Sequence, residues 1–223
     1  MAKIIDGIIN KELYEKAKYK ILWILKEPND KDSNEKWTYQ DYFSKKEIER
    51  KIGTEEDTLR YRMMKKIIWN SYGLLHDNTL FDEIENQIED ERIYSITEEI
   101  AYINIKKTPG GGAAIYKEIK AYYEQNKDLL IEQIKAFKPN IIIFGGTLTF
   151  FEYEDLEKAN LDIRKDNKFH SMNGTSRMSF YDISEDVLLI HAYHPAYWSI
   201  SYKQYYEEMI DGLKEWKKNK HMN

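Results

Sequence analysis

Four short, almost wholly apolar runs constrain the fold of this chain more than any other feature. They are residues 20–26, 101–105, 140–144 and 187–190. None shows the polar alternation of a half-exposed strand, so each is predicted to be a strand buried on both faces. Segments with helical spacing separate them: 8–18, 55–76, 79–90, 114–136 and 201–219. This alternation predicts an α/β protein, a three-layer α/β/α arrangement with a four-stranded, mainly parallel central sheet.

One region departs from this pattern, near residues 160–183. Short apolar-polar alternations at 168–172 and 177–181 flank the pair Asn173-Gly174, a frequent turn pair in β-hairpins. We therefore predict a small inserted β-ribbon here. The chain has 223 residues, of which 42% are hydrophobic, enough for one sizeable core. No linker or internal repeat interrupts it, so a single domain over residues 1–223 is expected.

Composition excludes some kinds of chemistry. The chain has no cysteine, which rules out disulfides and thiolate chemistry. No apolar run approaches membrane-spanning length and the first residues lack a signal-peptide core, so we expect a cytoplasmic protein without a membrane partner, monomeric by default. The formal net charge is -5, which argues against a broadly cationic nucleic-acid surface but leaves room for a local basic patch.

Each predicted core strand ends in residues that can do chemistry. Glu27 follows the first strand, Asn104 lies at the end of the second, the pair Gly145-Gly146 closes the third, and His194 follows the fourth. Since the carboxyl ends of parallel strands share one edge of a sheet, these groups are expected to converge there. A carboxylate, an amide, backbone N–H donors and an imidazole would then surround one pocket.

The residues at these strand ends resemble the motifs of the uracil-DNA glycosylase superfamily, in the same order along the chain. The segment Leu25-Lys26-Glu27-Pro28-Asn29 is similar to its first motif, and His194-Pro195-Ala196 is similar to its last. Asn104 stands at the strand-two position whose Asn reads the base in many members. The resemblance spans roughly residues 18–200 and implies a DNA-binding N-glycosyl hydrolase that needs no cofactor. Such enzymes bind a base that has been flipped out of the duplex.

The resemblance also implies roles for individual residues. Glu27 would stabilise the oxocarbenium-like sugar, His194 would donate a hydrogen bond to the departing base, and Asn104 would read the base edge. Further base-binding residues would be Pro28, Asn29 and the aromatic residues Tyr39, Tyr42 and Phe43, with Trp37 as another candidate for stacking on the base. The DNA contacts would come from Lys106, Lys107, Gly145, Gly146, Pro195, Ala196, Tyr197 and Trp198, of which the last two follow the motif where relatives carry a wedge side chain.

Three departures from the family pattern keep other functions open. Leu25 stands where the first motif begins with Gly, Asn29 where Gly or Tyr follows the proline, and Ala196 where the last motif has Ser. A catalytically silent member that binds nucleic acid or protein is one alternative, and a small-molecule nucleoside or nucleotide hydrolase is another. A metal site of Glu27, His191 and His194 is a third interpretation of the same residues, although the resemblance explains His194 without a metal.

Overall fold

The computed structural model describes residues 5–28, 38, 59–76, 79–86, 93, 95–110, 114–163, 167–171 and 177–221. Its strands are β1 (Gly7–Ile8), β2 (Ile21–Leu25), β3 (Ala101–Asn104), β4 (Ile141–Gly145), β5 (Lys168–Phe169), β6 (Ser179–Ser184) and β7 (Val187–Ala192). Its α-helices are α1 (Lys11–Lys16), α2 (Leu59–Leu75), α3 (Phe81–Asn86), α4 (Tyr116–Phe137), α5 (Tyr153–Lys158) and α6 (Tyr202–His221), with short 3₁₀ helices at Ile96–Glu98 and Leu148–Phe150.

The strands form one mixed sheet in the order β1-β3-β2-β4-β7-β6-β5. The four strands at its centre, β3, β2, β4 and β7, pair in parallel. They are the four apolar runs of the sequence. The three outer strands pair antiparallel, β1 on one side and β6 with β5 on the other. The α/β class predicted from the sequence is therefore confirmed.

The prediction of a four-stranded sheet is wrong, because the sheet of the described residues has seven strands. Strand β1 has only two residues, too short to leave a periodic pattern in the sequence. The segments predicted as an inserted ribbon do pair, Lys168 with Tyr181 and Phe169 with Phe180. They are not a separate ribbon, since β6 also pairs with β7 and extends the central sheet. This pairing covers the backbone edge that β7 would otherwise expose.

Helices cover both faces of the sheet, and the central strands are therefore buried between two layers. In β2, Ile21, Trp23 and Leu25 face a cluster that includes side chains of α2, α3 and α6. Leu22 and Ile24 face the opposite cluster, which includes side chains of α1, α4 and α5. All five of these strand residues are at most 3% exposed. Burial on both faces explains why the strand is a continuous apolar run rather than an alternating one.

Local signals in the sequence also fix some helix ends. Asn10 caps α1 as predicted, since its side-chain Oδ1 accepts hydrogen bonds from the backbone N–H groups of Glu12 and Leu13. At the C-terminal end of α4, Lys138 takes a left-handed conformation with φ of 48° and ends the helix before Pro139. No α-helix of the described residues is long and apolar enough to cross a membrane.

Several sequence-based predictions concern residues outside the described ranges. They are the base-binding residues Asn29, Tyr39, Tyr42 and Phe43, the stacking candidate Trp37, and the hairpin turn around Asn173-Gly174. These predictions stay predictions.

Candidate functional site

The strand order places a topological switch point at the carboxyl end of β2. From β2 the chain crosses to β3 on one side, and later returns to β4 and β7 on the other side. In sheets of this kind, ligands bind in the crevice outside the carboxyl ends of the two strands where the direction reverses. Here those strands are β2 and β4. Glu27 follows β2, and Gly145-Gly146 ends β4.

The glycine corner after β4 lets the loop that follows β7 lie against the end of β2. A Cβ at Gly145 would be 2.9 Å from the side chain of Leu25 and 3.1 Å from that of Pro195, so position 145 has no room for a larger side chain. Gly146 has a φ of 70°, which favours glycine, and a Cβ there would be 3.1 Å from the backbone N of His194. The corner therefore brings the His194 loop next to the switch point.

His194 is held as a neutral imidazole. Its Nδ1 accepts a hydrogen bond from the backbone N–H of Ala196 at 3.2 Å, so the proton of the neutral ring lies on Nε2. Burial of the ring, and then the positive charges of Lys26 and Lys66, lower the pKa of His194 to about 4. The Nε2–H group is therefore available as a hydrogen-bond donor at neutral pH.

The titration of His194 should follow this lowered pKa. We expect its imidazole signals in NMR spectra to keep their neutral-form positions until the pH approaches 4, whereas the unfolded chain should titrate near the ordinary value of about 6.5. Between these values the unfolded state binds more protons, so the contribution of His194 to folding is complete above pH 6.5 and is lost as the pH falls. A folded-state midpoint at or above 6.5 would contradict the proposed environment.

Lys66 of α2 fixes the loop after His194. Its ammonium group donates hydrogen bonds to the backbone carbonyls of Tyr197, at 2.8 Å, and Ile200, at 2.9 Å. The side chain is buried, and this burial lowers the pKa of Lys66 to about 8. Trp198 lies between Tyr197 and Ile200 in the sequence, and its side chain is 85% exposed. Tyr197 also stacks on Tyr193, with ring centroids 5.1 Å apart.

Glu27 lies in a different environment, in a buried ion pair. Its Oε2 accepts a hydrogen bond from the Lys106 ammonium group at 2.6 Å, and the two side chains are only 6% and 8% exposed. Lys106 also donates to Oε2 of Glu118 on α4, at 3.2 Å. Burial opposes the charge on Lys106, but hydrogen bonds to Glu27 and Glu118 raise the pKa of Lys106 above its ordinary value. The ammonium group therefore stays protonated between two carboxylates.

A cavity of about 480 Å³ opens beside this ion pair. Its wall is formed by one face of α4 and by the turn after Lys106. The lining residues are Glu27, Lys106, Thr108, Pro109, Gly110, Ile115, Glu118, Ala121, Tyr122 and Gln125. Gly110 packs directly against the side chain of Glu27, because any Cβ at position 110 would overlap the Glu27 carboxyl group. Its backbone N–H donates to the carbonyl of Pro28 at 2.9 Å, which fixes the turn.

The three residues predicted to act together lie at the same sheet edge but not in one cavity. The cavity that Glu27 lines has neither Asn104 nor His194 among its lining residues. The side chain of Asn104 is buried, and its backbone N–H donates to Asp6 at 2.7 Å. The strand β4 separates β2 from β7, which carries the His194 loop, so Glu27 and His194 flank the switch point from opposite sides.

Apart from the glycine corner already described, the predicted DNA-contact residues fall into two groups. Lys106 and Lys107 are both buried and paired with carboxylates, Lys106 as above and Lys107 with both oxygens of Asp6 at 2.7 and 2.8 Å. A phosphate would have to compete with these pairs. Around the last motif, Pro195 is buried, whereas Tyr197 and Trp198 are exposed. Only the latter two present large side chains to solvent.

The described residues contain no group of three or more His, Asp or Glu side chains that could hold a metal ion. Glu27, His191 and His194 therefore do not form the metal site considered as an alternative. His191 is partly buried within β7, where burial and then the charge of Lys168 lower its pKa.

Sequence reasoning missed three residues of this region, Asp6, Lys66 and Glu118. The partner of Lys66 lies 134 residues along the chain, and the bond of Lys106 to Glu118 depends on how α4 packs. Asp6 carried no motif at all. One signal was present: Glu118, Ala121, Tyr122 and Gln125 share a spacing that places them on one face of a helix.

Comparison of the chain with protein-family models, with curated proteins and with solved structures gives no match in any of the three. What the site can do therefore follows from its own geometry. That geometry places a buried carboxylate beside a cavity, and a neutral imidazole outside that cavity, at the carboxyl edge of a parallel sheet.

Proposed function

We propose that this protein is a divergent member of the uracil-DNA glycosylase superfamily that hydrolyses the N-glycosidic bond of uracil or another damaged base in DNA. The observation that carries the proposal is the position of the Glu27 carboxylate and the neutral His194 imidazole on the two sides of the switch point. The two groups stand at the ends of the first and last parallel strands, as the family's two motifs do. The parallel order of the four core strands supports the same interpretation.

In the proposed mechanism, Glu27 and His194 each stabilise one of the two charges that develop as the glycosidic bond breaks. As the bond between sugar carbon and base nitrogen breaks, its electron pair leaves with the base, and the sugar becomes cationic. The Glu27 carboxylate would stabilise that cation, and the Nε2–H of His194 would donate to the base oxygen on which negative charge grows. Water then adds to the sugar carbon and releases a proton to solvent. The neutral ring can fill this role because the hydrogen bond that Nδ1 accepts leaves the proton on Nε2, the nitrogen that would face the base oxygen.

The other assigned residues complete the proposal. Asn104 would read the base edge, and the exposed rings of Tyr197 and Trp198 would contact DNA at the mouth of the site. Aromatic rings stack on unpaired bases without reading their sequence. DNA is accordingly the proposed partner, bound through a local surface despite the overall charge of -5.

A glycosylase panel tests this function. Purified protein should release base from single- or double-stranded oligonucleotides carrying uracil, hypoxanthine, xanthine or an alkylated base. Glu27→Gln should lower single-turnover release by about 100- to 1,000-fold, since it removes the charge opposite the sugar cation. Glu132→Gln is the matched control, because Glu132 lies on α4 with a side chain 69% exposed and pairs with Lys135.

Two results would count against the proposal. One is wild-type protein that releases none of these bases and does not bind abasic DNA, which would favour a catalytically silent member. The other is activity that Glu27→Gln leaves unchanged.

A second candidate function is supported by the position of Glu27 in its own cavity. A volume of about 480 Å³ is within the usual range for small-molecule sites. We therefore propose, as the alternative, a hydrolase of free nucleosides or nucleotides. Saturable hydrolysis of free nucleosides, with no affinity for DNA at low salt, would select it.

A further inference from the structure

Lys106 has two carboxylate partners that differ in burial and in bond length. The bond to Glu27 is 2.6 Å long and its carboxylate is 6% exposed, whereas the bond to Glu118 is 3.2 Å long and its carboxylate is 52% exposed. Water competes with an exposed ion pair much more than with a buried one. The Glu118 bond is therefore the exchangeable one of the two.

The place that Glu118 occupies is already suited to an anion. An anionic oxygen there accepts a hydrogen bond from Lys106 and faces the cavity. Glu118 also lies in the first turn of α4, a 22-residue helix whose Ile115 cap makes no side-chain hydrogen bond. Backbone N–H groups at such an uncapped start favour negative charge. Thr108 lines the same cavity, and its hydroxyl group is hydrogen-bonded to that of Tyr122 at 2.9 Å. When Tyr122 is the donor of that bond, the Thr108 hydroxyl can donate to an added oxygen.

We propose that Glu118 is an internal stand-in for a ligand phosphate, which binds Lys106 in the cavity by displacing the Glu118 carboxylate while the Glu27–Lys106 pair stays intact. The chemical class of the ligand is a phosphate mono- or diester. This assignment deepens the proposed function by giving Lys106 a phosphate of the substrate strand to contact. It also explains how a lysine whose ammonium group is paired with two carboxylates could still bind DNA.

The exchange has a simple consequence for affinity. In wild type, a phosphate must first break the Lys106–Glu118 bond and then tolerate the displaced carboxylate nearby. Glu118→Gln removes that competing charge and keeps a side chain of the same shape. The variant should therefore bind phosphate more tightly, which is the opposite of what the loss of an ordinary ligand-binding residue does.

The test is isothermal titration calorimetry at low salt with three probes: inorganic phosphate, deoxyuridine 5′-monophosphate and deoxyuridine. Glu118→Gln should lower the Kd of both phosphate-bearing probes by about fivefold, a change that corresponds to the free energy of a half-exposed ion pair. Binding of deoxyuridine should not change. Inorganic phosphate and the monophosphate together distinguish capture of a free phosphate from capture of a nucleotide.

Two variants serve as controls. Glu132→Gln removes an equal charge from α4 outside the cavity and should leave every Kd unchanged. Lys106→Met should abolish binding of the phosphate-bearing probes, and Lys106→Arg should retain it. The Glu118→Gln measurement carries the test even if Lys106→Met does not fold.

The proposal is overturned if neither wild type nor Glu118→Gln binds the phosphate-bearing probes, if Glu118→Gln weakens or does not change their Kd, or if Glu132→Gln tightens them equally. None of these measurements uses base release. A protein that binds phosphate as expected but cleaves no oligonucleotide would keep this inference and contradict only the proposed function.

Discussion

Replacing Lys106 with methionine should lower the free energy of unfolding by about 3–5 kcal/mol, because it leaves the Glu27 carboxylate buried without its cation. Both side chains of the pair are less than 10% exposed, so water that enters from the cavity replaces only part of the lost interaction with the ammonium group. Gly110 covers the same carboxylate from the other side, which limits how far Glu27 can turn towards solvent. Urea denaturation at pH 7 measures the loss.

Two further variants show whether the charge is the cause. Adding Glu27→Gln to Lys106→Met removes the unpaired charge and should restore more than half of the lost stability. Lys120→Met is the matched control: its bond to Glu152 is also 2.6 Å, but the two side chains are 28% and 55% exposed, so the cost should stay below about 1 kcal/mol. Equal losses at the two lysines would show that burial of the Glu27 pair is not the decisive factor.

Replacing Trp23 with alanine should also cost about 3–5 kcal/mol. Trp23 lies at the centre of β2, has no exposed surface, and packs in the cluster between the sheet and helices α2 and α6. Its indole Nε1–H donates to Ser71 of α2 at 3.0 Å, so the substitution removes a large apolar contact and also leaves a buried hydroxyl group without its donor. Thermal and urea unfolding both measure the effect.

The same substitution at Trp198 is the control. Trp198 is 85% exposed, so Trp198→Ala should change the free energy of unfolding by less than about 0.5 kcal/mol. If the proposed DNA contact is correct, it should instead weaken binding to single-stranded oligonucleotides. A Trp23→Ala protein as stable as wild type would mean that β2 is not the centre of the core.

The sequence could predict the core of the fold because that information is local. Strand β2 is a continuous apolar run since both its faces are covered, and Asn10 caps α1 through bonds to residues two and three positions away. The outer strands could not be predicted from local sequence in the same way. Strand β1 exists because Gly7 and Ile8 pair with Tyr102 and Ala101, a contact across more than ninety residues that no window of sequence contains.

The candidate site could be predicted only in part, for the same reason. The strand-end rule directed attention to Glu27 and His194, because it needs only the strand boundaries. The partner of Glu27 depends on how the ends of β2 and β3 align, and Lys106 is 79 residues away. The contact of Lys66 with Ile200 spans 134 residues. Such contacts follow from the alignment of strands and from the packing of helices on the finished sheet, which composition and spacing do not encode.

The loop from Tyr193 to Ile200 is tied down at several of its carbonyls. Tyr205 donates to the carbonyl of Tyr193 at 2.7 Å, and Lys66 holds Tyr197 and Ile200 as described above. Its conformational entropy is therefore lost when the chain folds rather than when a ligand arrives. A ligand that meets His194 and Trp198 should bind with a small entropic penalty and with little change in backbone structure, as expected for a preorganised site.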